Sequence, residues 1–318
     1  VLFPSATNGL LFTYRNYEVL KDRFIIPHLK DNDIVKYMNK EYVANIAKEV
    51  GLSVPKSWVL DTTLEEIIIP KDMAYPCFIK PISSEGGLLK QYIKKCESEN
   101  ELIECLSLYK QSKVIALVQE FIDKDYEFLV DGCVLHCNNE VVFPGGFKKH
   151  RESPSSHGIS LYLKLCKDLK YIDQEKIIHF LNKIEYYGLF DIEFMISKGH
   201  AYFVEINYIY GANAYAFSKA GVNIPYMWYL DAIGEDTTSL KRKITKEIYV
   251  MNEFEDFFYA LNGNIGLFRW LRDLFRARAF MIFNLRDMAP FWFTLRELRV
   301  IPITIARMPY ILKKVIKR

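Results

Sequence analysis

Two short acidic strands on either side of Lys198-Gly199 restrict this chain more than any other feature. In residues 189–196, alternation puts Asp191, Glu193 and Met195 on one face and Ile192, Phe194 and Ile196 on the other. In residues 201–207, Phe203, Glu205 and Asn207 oppose Tyr202, Val204 and Ile206. Each strand therefore has an apolar face and an acid-bearing face. One reading is a half-solvated hairpin. The sharper reading is a divalent-cation site, because Glu193, Glu205 and Asn207 offer only oxygen ligands, which suit Mg²⁺ bridging nucleotide phosphates. Register decides between them. A two-residue turn at Lys198-Gly199 sets Glu193 against Val204. A three-residue loop or a bulge sets it against Glu205, and the repulsion between those carboxylates then calls for a cation.

With 318 residues, half of them hydrophobic and 25% charged, the chain can build one large or two medium domains, which excludes a disordered or fibrous protein. No run of ~18 apolar residues occurs, so no spanning helix is expected. The six cysteines lie among apolar neighbours and read as buried free thiols of a reducing compartment, the cytoplasm. Cys133, His136 and Cys137 do not make a metal cluster, since alternation separates His136 from both cysteines. No signal peptide is read at the start. Residues 1–4 read as the end of a buried strand, so an upstream piece is expected.

Asn39 is an expected N-cap, followed by Val43, Ile46, Ala47 and Val50 at helical spacing and a stop at Gly51. Residues 76–82 and 114–122 read as strands. Residues 126–130 and 133–137 read as strands joined by a tight turn at Asp131-Gly132. Asp173 caps a helix that ends near Gly188. Hairpins and helices in separate blocks indicate α+β layers.

Neither G-x-x-x-x-G-K-[ST] nor G-x-G-x-x-G occurs. Lys40 lies in a first helical turn, where backbone N–H groups favour anions. Lys80 lies inside the apolar run Cys77-Phe78-Ile79-Lys80-Pro81 and needs an anionic partner or an open cleft; a snorkelling side chain is the alternative for either lysine. After it, Ser83-Ser84-Glu85-Gly86-Gly87 is a small-residue loop able to cover phosphates through Ser84, Gly86 and Gly87. Glu120, Phe121 and Ile122 end a buried strand whose backbone could read an adenine edge, and Glu127 could accept ribose hydroxyls. Lys148, Lys149 and Arg151 form a second basic group, read either as solvated surface or as a cover for phosphate.

In this order the parts resemble the ATP-grasp family: Lys40 before a helix, the FIKP strand with its SSEGG loop, the VQEFI strand, then D-I-E-F-M and F-V-E-I-N. The similarity spans residues 30–231 and is greatest to stand-alone carboxylate–amine ligases, D-aspartate ligase among them. It implies an α+β fold with two subdomains clamping ATP. Residues 1–28 would be the end of a preceding α/β domain, 29–123 and 124–234 the subdomains, and 235–318 a helical, basic, aromatic tail. It also implies that Lys40 and Lys80 hold ATP phosphates, that residues 120–122 frame adenine, that Glu127 meets ribose, and that Glu193, Glu205 and Asn207 hold Mg²⁺. Lys149 and Arg151 would act at the reacting phosphate. The implied activity is amide formation from a small-molecule carboxylate and an amine through an acyl-phosphate, with an amino acid joined to a cell-envelope precursor or glycan. One departure stands out. Many relatives follow the metal-binding Asn with x-Arg, whereas Asn207-Tyr208-Ile209 has none. Lys149 or Arg151 takes that duty, or the substrate differs, or the chain is a weakened ATP-binding module that works by contact.

Residues 265–318 carry twelve Lys/Arg against three Asp/Glu, while the rest carries 30 against 36. Aromatics interleave with these arginines, and Pro290, Pro302 and Pro309 argue for several short pieces. The expectation is either a packed helical appendage or attachment to an anionic membrane surface, at the inner face of the membrane. No nucleic-acid partner is expected, because the body is acidic and no such motif precedes the tail.

Overall fold

The computed structural model describes residues 1–83, 93–153 and 159–297. Ser84, Gly86 and Gly87, and the apolar runs beyond residue 297, lie outside the described residues.

The chain opens with α1 (Thr7–Arg15), α2 (Tyr17–Leu20), α3 (Ile34–Tyr37) and α4 (Lys40–Glu49). Residues 1–4 are not the expected strand: Leu2 N–H donates to the Ile25 carbonyl without a ladder around it among the described residues, and Phe3 packs edge-on against Trp228. Their apolar character serves side-chain packing instead of a ladder. Asn39 caps α4 as expected, its Oδ1 accepting from Tyr42 N–H at 3.0 Å. Gly51 follows at φ 83°, a backbone that glycine adopts freely.

The first sheet contains β1 (Ser57–Leu60), β2 (Cys77–Pro81), β3 (Lys94–Cys96) and β4 (Ala116–Glu120), in the antiparallel order β1-β4-β2-β3. Helix α5 (Glu99–Gln111), capped by Ser98, buries Leu102, Leu106 and Tyr109 against Ile79 and Val118 on one face. By alternation Lys80 belongs to the opposite face.

The second sheet is built from β5 (Tyr126–Val134), β6 (Val141–Val142), β7 (Gly146–Glu152), β8 (Ser160–Cys166), β9 (Gly188–Ser197) and β10 (His200–Asn207). Helix α6 (Gln174–Lys183) packs Phe180 and Leu181 into the same core as Ile192 and Phe194 of β9. After α7 (Tyr215–Lys219) and α8 (Ile224–Ala232), β11 (Ile248–Met251) returns to the sheet; α9 (Glu253–Leu261) and α10 (Leu267–Arg276) precede β12 (Ala277–Phe280), and α11 (Ala289–Glu297) closes the described chain. The order is β10-β9-β5-β7-β8-β11-β12, with β6 beside β5.

Three further expectations change. Asp131-Gly132 is not a turn, because β5 runs straight through it. Gly132 is there for clearance: a Cβ would meet the Val142 carbonyl at 2.3 Å and the Phe190 ring at 2.5 Å. The C-terminal region is not simply a helical appendage, since β12 extends the main sheet in parallel with β11. Of the six free cysteines, Cys77, Cys96, Cys105 and Cys133 are buried, whereas Cys166 is half-buried and Cys137 exposed. Among the described residues no helix is long and apolar enough to cross a membrane.

Candidate functional site

Lys198 and Gly199 both take left-handed backbone, with φ of 49° and 80°, so β9 and β10 join through a tight two-residue turn with Ser197 opposite His200. That turn alone would aim Glu205 away from Glu193. A bulge between Phe203 and Glu205 shifts the register, and Glu205 then stands opposite Glu193 and Asn207 opposite Asp191. The Phe203 N–H meanwhile bonds outside the ladder to the Ser53 carbonyl at 2.8 Å.

Strand β5 adds a third row of acids, with Asp131 opposite Asp191. Paired residues share a face, so Asp131, Asp191, Glu193, Glu205 and Asn207 form one acidic surface. Asp131 and Asp191 are 1% and 7% exposed, and each leaves Oδ1 without a hydrogen-bond partner among the described residues. Burial, reinforced by Glu193, pushes Asp131 up to about 8, against a backbone hydrogen bond from Gly211. Burial and then the neighbouring carboxylates push Asp191 and Glu193 well above the usual range. Gly211 lets the backbone approach these acids closely: an added Cβ would lie 2.6 Å from Asp131 Oδ1 and 3.2 Å from Asp191 Oδ2.

Two cations come from other elements, Lys40 from α4 and Lys80 from β2, and a third, Lys149, from β7 of the same sheet. Lys40 Nζ lies 3.2 Å from Glu205 Oε2. The Lys40 N–H donates to the Ile82 carbonyl at 2.9 Å, and Asn39 bridges Ser83, so the start of α4 is tied to the exit of β2. Lys80 is buried there. Burial, with the Lys40 charge second, lowers it to about 7, while Glu205 and Glu193 pull the other way. Lys149 of β7 is also buried and pairs with Glu127. Burial opposes its charge, yet Glu193 and Glu127 hold it above its ordinary value. Glu127 is equally engaged: burial works against its charge, but Lys149 and Lys124 hold it below the usual carboxylate range.

Arg151 does not join this group. Its guanidinium forks onto Asp256 at 2.7 and 2.8 Å and reaches Asp273 at 2.7 Å. Glu120 Oε1 accepts from the Lys56 N–H at 2.8 Å, Phe121 lies under the Lys95 ammonium, and Ile122 is half-buried. These three residues begin the crossing from β4 to β5. Asp131, hidden by its resemblance to a turn, is the acid that sequence reasoning missed. Asp191 was visible on the correct face, two residues before Glu193.

Glu193, Glu205 and Asn207 offer oxygen donors only, a chemistry that suits Mg²⁺, and the unpartnered buried oxygens beside them belong to Asp131 and Asp191. Among the described residues no three His, Cys, Asp or Glu side chains form a ready metal cage. Two carboxylates and an amide leave coordination positions for phosphate oxygens.

No family model matches the chain. It is 24% identical over 185 residues to the C-terminal section of the carbamoyl phosphate synthase large chain of Aquifex aeolicus, covering 56% of this chain and 33% of that one. The chain thus spans about a third of that curated relative. The L-amino acid ligase of Bacillus licheniformis superposes with a TM-score of 0.59 at 17% identity, over 75% of this chain and 59% of that one. The biotin carboxylase domain of Hydrogenobacter thermophilus 2-oxoglutarate carboxylase, in complex with MgADP and bicarbonate, gives 0.58 at 16% identity, over 77% and 56%. These superpositions, with the two sheets and their facing acids, identify the chain as an α+β protein of the ATP-grasp fold.

Proposed function

We propose that this protein is an ATP- and Mg²⁺-dependent carboxylate–amine ligase, ADP-forming. One observation carries the reading: Glu193 and Glu205 face each other while Lys40, from the start of α4, and Lys80, from β2 of the other sheet, bring positive charge to them. The fold shared with an L-amino acid ligase and with a MgADP-bound carboxylase domain supports it.

Bound Mg²⁺ supplies charge neutralisation at the phosphates. Glu193, Glu205 and Asn207 would hold it, with Asp191 orienting Asn207. Lys40 and Lys80 bind phosphate oxygens, and Lys80, poised near neutrality, takes up a proton as the phosphates arrive. We also assign Ser84, Gly86 and Gly87, outside the described residues, to the phosphates, residues 120–122 to adenine and Glu127 to the ribose. A substrate carboxylate attacks the γ-phosphate and ADP leaves. An amine then displaces phosphate from the acyl-phosphate, giving the amide. Catalysis here is positioning and electrostatics. Lys149, which feels Glu193, stands in for the Arg missing after Asn207; the fork to Asp256 and Asp273 withholds Arg151 from that duty.

We assign the substrates to an amino acid and a cell-envelope precursor or glycan, with the enzyme in the cytoplasm and residues 265–318 against an anionic membrane surface. The test is ADP release over a panel of amino acids and amine acceptors, with Glu193→Gln/Glu205→Gln as control. A chain that binds ATP yet releases no ADP with any pair supports the second reading, a weakened ATP-binding module, which the missing Arg favours.

A further inference from the structure

Two cavities of opposite character share a wall in the C-terminal region. The first, about 490 Å³, is walled by Phe254, Phe257, Trp270, Leu274 and Phe291. The second, about 370 Å³, presents Lys219, Arg278 and Arg286. Phe280 and Phe283 line both. The local sequence explains the arrangement. On β12, Ala277 and Ala279 turn into the core, so Arg278 and Phe280 share the outward face, a charge beside a ring. The following turn is pinned by Glu253, whose carboxylate accepts from the N–H groups of Met281, Ile282 and Phe283. Glu253 also reaches the apolar cavity, but its charge is occupied by that turn.

The three cations of the second cavity are exposed, and among the described residues none forms an ion pair. Outside the cavities the surface repeats the same pairing. Phe268, 86% exposed, shares α10 with the exposed Arg269, Arg272 and Arg276. Open aromatic surface rimmed by arginine suits an anionic bilayer. Each cavity falls in the range of small-molecule sites, roughly 300–1,000 Å³.

We propose that the paired cavities bind one anionic lipid drawn from the bilayer surface, with its phosphate held by Lys219, Arg278 and Arg286 and its hydrocarbon chain in the aromatic chamber. Charge complementarity selects this occupant. A bare phosphate leaves the apolar chamber unfilled, and a neutral amphiphile leaves three cations without a counter-charge. The inference deepens the membrane reading above and rests on it; it is independent of the ligase reading.

The test titrates the full chain with dodecyl phosphate, below its micelle-forming concentration, following tryptophan fluorescence and calorimetric stoichiometry. Saturable one-to-one binding is expected, with no comparable response to dodecyl maltoside or inorganic phosphate. Arg278→Glu with Arg286→Glu, both exposed and without an ion pair among the described residues, should weaken it roughly tenfold or more. Phe257→Leu, a milder change in the apolar wall, should weaken it while leaving the melting temperature nearly unchanged. Equal binding of dodecyl maltoside, or no effect of the arginine pair, overturns the proposal. So does binding that emerges only when residues 298–318 are removed, which would make that segment the occupant. Co-sedimentation with anionic vesicles is measured in parallel: a chain that sediments yet binds no dodecyl phosphate keeps surface attachment and loses the lipid site.

Discussion

Glu193 and Glu205 stand directly opposite each other across β9 and β10 because one residue of β10 is left over in the ladder. Without that bulge the two-residue turn would send Glu205 to the core face, and its carboxylate would meet Phe180 and Phe194 instead of a cation.

Glu193→Gln with Glu205→Gln should therefore abolish ATP turnover and leave the fold intact. Relief of the crowded acids offsets the lost Lys40–Glu205 pair, so the melting temperature should change little. Turnover at the wild-type rate in the double variant would refute the metal site. Calorimetry without nucleotide separates this from simple unfolding.

Lys80→Ala should raise the nucleotide Kd about tenfold or more, because a charge-assisted contact contributes roughly 1.5–3 kcal/mol. The pH dependence has a definite sign. The folded value of Lys80 is about 7 against 10.5 for an ordinary lysine. Between those values the unfolded chain holds a proton that the folded one lacks, so stability rises with pH across that window. Phosphates favour the charged form, so ATP binding near pH 7.5 should take up protons. Titrations in buffers of different ionisation enthalpy measure this, and zero uptake in the wild type would count against Lys80 as a phosphate ligand.

Asp131→Asn should stabilise the protein increasingly as pH rises. The folded carboxyl lies near 8 against an ordinary 3.8, so its contribution is complete below about 3.8 and is lost on the way to pH 8. Melting temperatures of variant and wild type should diverge between pH 5 and pH 8. A constant gap would contradict the buried-acid account.

Arg151→Met should cost about 3–5 kcal/mol of stability, since it strands Asp256 in the interior and leaves Asp273 only the exposed Arg272. Nucleotide affinity in the surviving folded fraction should change little. A stable variant with lost ATP turnover would return Arg151 to catalysis. Arg151→Lys should recover only part of the stability, because an ammonium cannot reproduce the fork.

Much of this was legible along the chain. Alternation located the acids of β9 and β10, and Asn39 and Asp173 announced their helices through side-chain oxygens that accept from nearby N–H groups. Local signals failed where distant contacts decide. Asp-Gly favours a hairpin turn, but Gly132 answers the crowding of Val142 and Phe190. Nothing near Lys149 and Arg151 distinguishes them, yet their partners lie in opposite directions, Glu127 upstream and Asp256 and Asp273 more than a hundred residues downstream. The bulge in β10 likewise depends on Ser53, on a different element.

The Arg151 fork also sets a lower limit on how far this chain can be trimmed. Two acids, on α9 and α10, neutralise a guanidinium planted in the middle of the large sheet. A fragment ending after β10 would keep every acid of the β5-β9-β10 face and still carry an unmatched positive charge in its interior. The smallest autonomous unit must therefore run past Asp273, which makes the sheet and the first part of the basic region a single inheritance.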